Sequence, residues 1–150
     1  MIGPMPVYFA YGSNMSSERL RARVGPAVSL GAVRIDHYDL AFNKPGSDGT
    51  GKANLVPRTG EQAWGVAWEL DDSSWTTLDR FEPRYERALF RLETASGASL
   101  EATAYVFEGP ADSPHIAPAA AYVQHLVAGA IEHALPADYV ERIRALAGLR

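Results

Sequence analysis

Between Val7 and Met15 the chain reads Val-Tyr-Phe-Ala-Tyr-Gly-Ser-Asn-Met, an apolar run of strand length that stops at Gly12-Ser13-Asn14. An uninterrupted apolar run commits the segment to a buried strand. The residues after it commit the backbone to a sharp turn: Gly enters conformations closed to other residues, and Ser and Asn bond their own main chain. A turn of this kind aims several N–H groups at one point. Proteins hold carboxylates and developing oxyanions that way, without metal or arginine. The chain must fold around this turn, and the functional question is which acid or base faces it.

The 150 residues suffice for one domain, read here as 1–150, and for one sizeable core. A net charge of −4 argues against nucleic acid as the main partner, because phosphate binding needs a basic face. No apolar run approaches the roughly 20 residues that span a bilayer, so no membrane partner is expected. The first residues lack a basic segment and an apolar signal core, so secretion by that route is not expected. The absence of cysteine removes disulfides, thiolate nucleophiles and zinc–sulfur sites, and fits a cytoplasmic protein.

Element patterns follow from periodicity and turn residues. Pro6 to Ala10 reads as a strand, and Ser16 or Ser17 caps a short helix ended by Gly25-Pro26. Val28–Ile35 and Tyr38–Phe42 read as two strand pieces broken at Asp36-His37, Lys44 to Lys52 as a Gly-rich loop, and Ala53–Val56 and Ala63–Leu70 as further strands. Asp71 or Asp72 caps a helix that Pro83 ends, leaving Glu82 at the break. A hairpin of Arg87–Thr94 and Ser99–Phe107 turns at Ser96-Gly97. Two helices follow, one with Tyr122, Leu126 and Ile131 near one face, the other starting at Pro136 with Tyr139, Val140, Ile143 and Leu146 inward. The expected architecture is α+β, with a mainly antiparallel, barrel-like sheet of about six strands and flanking helices.

Most chemistries fail on context. Gly46-Ser47-Asp48-Gly49-Thr50-Gly51-Lys52 has phosphate-loop spacing, but Ala53 stands where a hydroxyl should hold magnesium, and a strand follows where a helix should. His37, His115, His125 and His133 show no metal-ligand spacing, so no metal is expected. No G-x-S-x-G elbow exists, and Ser13 has no histidine nearby. Among the carboxylates, Glu82 is flanked by Phe81 and Pro83, apolar surface that raises the pKa of an acid toward that of a useful general base. By composition alone, a helix-end carboxylate paired with Arg80 or Arg84 is the plainer reading. A tyrosine such as Tyr122 on an amphipathic helix is by itself a core residue with its hydroxyl at the edge.

Together these residues resemble the γ-glutamylcyclotransferase family, within the avirulence-induced-gene-like superfamily. The resemblance starts at Tyr8-Phe9-Ala10-Tyr11-Gly12-Ser13-Asn14-Met15 and continues through Trp64-Gly65-Val66-Ala67-Trp68 and Leu78-Asp79-x-x-Glu82. It extends to Tyr122, Gly129-Ala130 and Leu135-Pro136-x-x-Tyr139. Pro83 stands where the family has glycine. The Glu82, Tyr85 and Arg87 spacing is similar to that of the plant branch, and the Tyr-Gly-Ser-Asn turn differs from the glutathione-specific branch.

The resemblance implies conversion of a γ-glutamyl amino acid or peptide to 5-oxoproline and a free amino acid, with a small-molecule substrate and no cofactor. It implies Glu82 as general acid/base. Backbone N–H groups of Tyr8, Phe9, Ala10, Tyr11, Gly12 and Ser13 would grip the substrate, Tyr11 and Tyr122 would wall the pocket, and Asn14 would brace the turn. It also implies a homodimer. Two alternatives stay open: a γ-glutamylamine as substrate, and a non-catalytic module that binds small anions or peptides on the same fold.

Overall fold

The computed structural model describes residues 7–110 and 113–149. Pro6 of the expected first strand lies outside them, as do residues 111 and 112. The strands are β1 (Val7–Ala10), β2 (Val28–Pro45), β3 (Gly51–Glu69), β4 (Glu86–Thr94) and β5 (Ser99–Val106). They close a barrel in the order β1-β3-β2-β4-β5. Every pairing is antiparallel except β1 with β5, which meet in parallel at Tyr8 and Thr103. The helices are α1 (Ser17–Val24), α2 (Ser74–Phe81), α3 (Ala120–Glu132) and α4 (Ala137–Leu146), with a 3₁₀ turn at Ser13–Met15. The architecture is the expected α+β barrel.

The strand count differs from the expected six because the breaks read at Asp36-His37 and between Val56 and Ala63 are the two sides of one shift in the β2–β3 ladder, not strand ends. At Asp36-His37 the ladder shifts instead of ending: Asp36 pairs with Gln62, and Tyr38 with Pro57. His37 takes a left-handed φ of 66° there, and its Nδ1 accepts the Gly60 N–H at 3.1 Å. A bulge also inverts which residues face inward. Val33 and Ile35 are buried before it; Leu40, Phe42 and Lys44 are buried after it. The expected 44–52 loop is likewise shorter, since Lys44 and Lys52 are ladder partners and only the turn between Pro45 and Gly51 leaves the sheet.

Local signals explain the helices that frame the barrel mouth. The Ser16 hydroxyl accepts the Arg19 N–H, Glu18 sits in the first turn of α1, and Gly25 ends it at φ 82°. For α2 the expected Asp71 or Asp72 cap does not form. Ser73 holds the cap position without a side-chain bond, and the chain enters through backbone turns onto the Asp71 and Asp72 carbonyls. Glu82 is the C-cap of α2, at the break that Pro83 imposes. In α3, Val123, Leu126 and Ala130 are buried, whereas Ile131, expected inward, is 60% exposed on the opposite face. A Cβ on Gly129 would lie 2.4 Å from the Met15 carbonyl carbon, so this glycine lets α3 lie directly on the 3₁₀ turn. Phe9, Trp68, Phe42, Met15, Leu126 and Ile143 fill the interior. No helix among the described residues is long and apolar enough to cross a membrane.

Candidate active site

The buried strand β1 ends at the barrel mouth, where Tyr11, Gly12 and Ser13 meet the C-terminal end of α2 around a cavity of about 260 Å³. Glu82 lies in this cavity with its side chain only 16% exposed. Burial pushes its carboxyl up from the ordinary range to about 7, against the opposing pull of Arg23, Lys44 and Arg19. The flanking Phe81 and Pro83 both line the cavity. The cation beside Glu82 is not Arg80 or Arg84, which are exposed, but Arg23 of α1, whose Nη1 is 4.0 Å from Oε1.

Asn14 binds this acid to the turn. Its Nδ2 donates to Glu82 Oε1 at 3.2 Å and to the Tyr8 hydroxyl at 3.0 Å, while its Oδ1 accepts from Arg23 Nη1 at 3.2 Å. Arg19 Nε donates to Ser13 Oγ at 3.0 Å, so α1 braces the turn a second time. The end of α2 is fixed from below, because the Asp79 carboxylate accepts from Arg87 Nε and Nη2 and from the Tyr105 hydroxyl, the last at 2.6 Å.

Two tyrosines hold the far wall through one residue. The ladder between β2 and β3 shifts between Ala41 and Lys44, and Ala53 has no β2 partner there. Its backbone groups are satisfied by side chains instead: Ala53 N–H donates to the Tyr122 hydroxyl at 2.9 Å, and the Tyr85 hydroxyl donates to Ala53 O at 2.6 Å. Because the Tyr122 oxygen accepts, its own O–H remains a donor. Tyr11 instead donates to the backbone oxygen of Tyr105.

Of the residues expected at the site, Glu82, Tyr8, Phe9, Tyr11, Gly12, Ser13 and Tyr122 all line the cavity. Ala10 is buried in β1 and is not among the lining residues. Tyr8 to Ala10 are register partners of β3, so their backbone serves the ladder, and the N–H groups at the head of the turn are those of Gly12 and Ser13. Sequence reasoning missed Asn14 as a contact of Glu82, and it missed the four cations Arg19, Arg23, Lys44 and Lys52. A signal existed for three of the four. Arg19 and Arg23 stand four apart on one helix face, and Lys44 continues the inward alternation of Leu40 and Phe42. Among the described residues no three His, Asp or Glu side chains gather as a metal site.

Human and mouse proteins named gamma-glutamylcyclotransferase are 28% and 29% identical over 149 residues, covering 93% of this chain and 78% of each relative. A solved structure titled gamma-glutamyl cyclotransferase superposes with a TM-score of 0.87 at 26% identity, over 95% of this chain and 88% of that one. The model of the AIG2-like family matches residues 62–143, more than half of the sequence and a span that includes Glu82, Tyr85 and Tyr122. The chain belongs to the AIG2-like family.

Proposed function

We propose that the protein is a γ-glutamylcyclotransferase, an enzyme that releases 5-oxoproline from a γ-glutamyl amino acid or peptide. The observation that carries this reading is one buried carboxyl held near pH 7 in the cavity that the Gly12-Ser13 turn also lines. The substrate's α-amine attacks its own γ-carbonyl. A five-membered lactam closes as the C–N bond to the departing amine breaks. Both reactants belong to one molecule, and intramolecular attack of this kind is worth an effective molarity on the order of 10⁵ M or more once the chain is held folded.

The protein then needs a proton carrier and an anion site. Glu82 takes the proton from the α-ammonium, which frees the attacking lone pair, and delivers it to the leaving nitrogen. An acid poised near 7 serves both halves of that transfer at neutral pH. The Gly12 and Ser13 N–H groups meet the charge that develops on the γ-carbonyl oxygen, and the free O–H of Tyr122 donates to the substrate's polar end. Tyr8, Phe9 and Tyr11 exclude water from the closing ring. The test is 5-oxoproline release from γ-glutamyl dipeptides. Glu82→Gln is expected to lower turnover by about 10²–10⁴-fold while substrate still binds; near-full activity in this variant would end the assignment.

A further inference from the structure

The cavity carries more positive charge than ring closure uses. Arg19 and Arg23 enter from α1, Lys44 and Lys52 from the hairpin of β2 and β3, and Glu82 is the sole carboxylate among the lining residues. The two lysines are direct partners across the antiparallel ladder, where like charges repel. Lys44 is 3% exposed and makes no ion pair among the described residues; its ammonium lies 4.7 Å from the centre of the Tyr85 ring. Burial and the neighbouring Arg84 hold its pKa below the usual lysine value, against the opposing pull of Glu82. Lys52 lies 4.7 Å from the centre of the Tyr122 ring and 3.5 Å from Asp48, whose carboxylate is 56% exposed and already accepts two bonds from Thr50.

A buried ammonium with no carboxylate in direct contact is costly. Folding does not demand one here, since Leu40 and Phe42 fill the same inward parity. Glu82 is the one lining carboxylate, and Arg23, Lys44 and Arg19 share it, so the negative charge that balances the rest belongs to a ligand. Tyr8, Phe9 and Tyr11 form the enclosed part of the cavity, whereas Gly46 and Ser47 form its rim beside the lysines. The glutamyl part is common to every substrate and suits the enclosed end. The departing amine varies and must leave past the rim.

We propose that Lys44 and Lys52 bind negative charge on the leaving group, which makes the site selective for γ-glutamyl dipeptides with an acidic second residue. Neutral second residues come next, and γ-glutamylamines last. This proposal rests on the cyclotransferase reading for its substrate, but not for its charge preference.

The experiment uses γ-glutamyl-glutamate, γ-glutamyl-alanine and γ-glutamyl-ethylamide, whose leaving groups carry two, one and no carboxylates. We expect kcat/KM to fall about tenfold with each carboxylate removed, mainly through KM, and the spread to shrink as salt is added. Lys44→Gln and Lys52→Gln each compress the ranking by about tenfold, and Lys44→Arg restores it. A flat ranking in the unaltered protein, or an equal loss on all three compounds in Lys44→Gln, overturns the proposal. If Lys44→Gln fails to fold, the salt dependence of the unaltered protein decides, and a ranking insensitive to salt overturns it. Calorimetry of the same compounds on Glu82→Gln separates the two claims. Binding ranked by charge without any 5-oxoproline from the unaltered protein keeps the lysine assignment and ends the cyclotransferase reading. Equal binding and equal release do the reverse.

Discussion

The side-chain amide of Asn14 donates to Glu82 Oε1 at 3.2 Å, although the two residues are 68 positions apart. One end of this contact is fixed by the turn after β1 and the other by the C-cap of α2, so it measures how well the two halves of the site are aligned. Asn14→Ala frees the carboxyl to rotate and leaves the Tyr8 hydroxyl without its donor. We expect kcat to fall about 10–100-fold with a smaller change in KM. Asn14→Asp sets a second carboxylate beside Glu82, which raises the pKa of the pair. The acidic limb of the pH–rate profile should move above 7, and an unmoved limb would show that Asn14 does not position the acid.

In the unaltered protein kcat/KM should rise with pH through about 7, because the attacking amine must give its proton to the ionised form of Glu82. A profile governed by a group near pH 4.5 would contradict a buried, raised carboxyl.

Stability should run the opposite way. The folded chain keeps a proton on Glu82 up to about pH 7, whereas an unfolded glutamate releases it near 4.5. The folded state then binds more protons between those values, so this group's contribution is complete below about 4.5 and is lost as pH rises to about 7. Glu82→Gln removes the titration and should stabilise the protein above pH 7, by on the order of 3 kcal/mol. The gain should fade toward pH 4.5 in denaturant melts taken across the range.

Tyr85→Phe leaves the Ala53 carbonyl without the hydroxyl that serves it, and Tyr122→Phe does the same to the Ala53 N–H. Each should cost about 1–3 kcal/mol in urea unfolding. Only Tyr122→Phe also removes a free O–H donor from the cavity, so it should raise KM more than Tyr85→Phe does.

Gly129→Ala pushes a Cβ to within 2.5 Å of the Ser16 nitrogen and 2.4 Å of the Met15 carbonyl carbon, both backbone atoms of the 3₁₀ turn and its cap. A destabilisation of about 1–3 kcal/mol is expected. Turnover should fall with it, because the Gly12-Ser13 N–H groups ride on that turn. Full activity at unchanged Tm would mean that α3 has room to move away.

What was legible came from local chemistry. Apolar periodicity marked β1 and the helices, Gly12-Ser13-Asn14 marked the turn, and Pro83 placed Glu82 at the end of α2. Resemblance to a family then singled out Glu82 and Tyr122 from otherwise ordinary positions. The bulges were not legible as such. A left-handed His37 and a local stop look alike in one strand, and only the pairing of Tyr38 with Pro57 tells them apart.

The sequence by itself determined which segments are buried, where the backbone turns, and which acid stands at a helix end, because each depends on neighbours a few residues away. The tertiary structure alone decided that Asn14, Arg23 and Lys44 meet around Glu82, since these contacts form between segments brought together by barrel closure. Closure also decided the acid's strength. The pKa of Glu82 is set by the water it loses and the cations it gains; Phe81 and Pro83 beside it supply part of the first, but Arg23, Lys44 and Arg19 come from other segments.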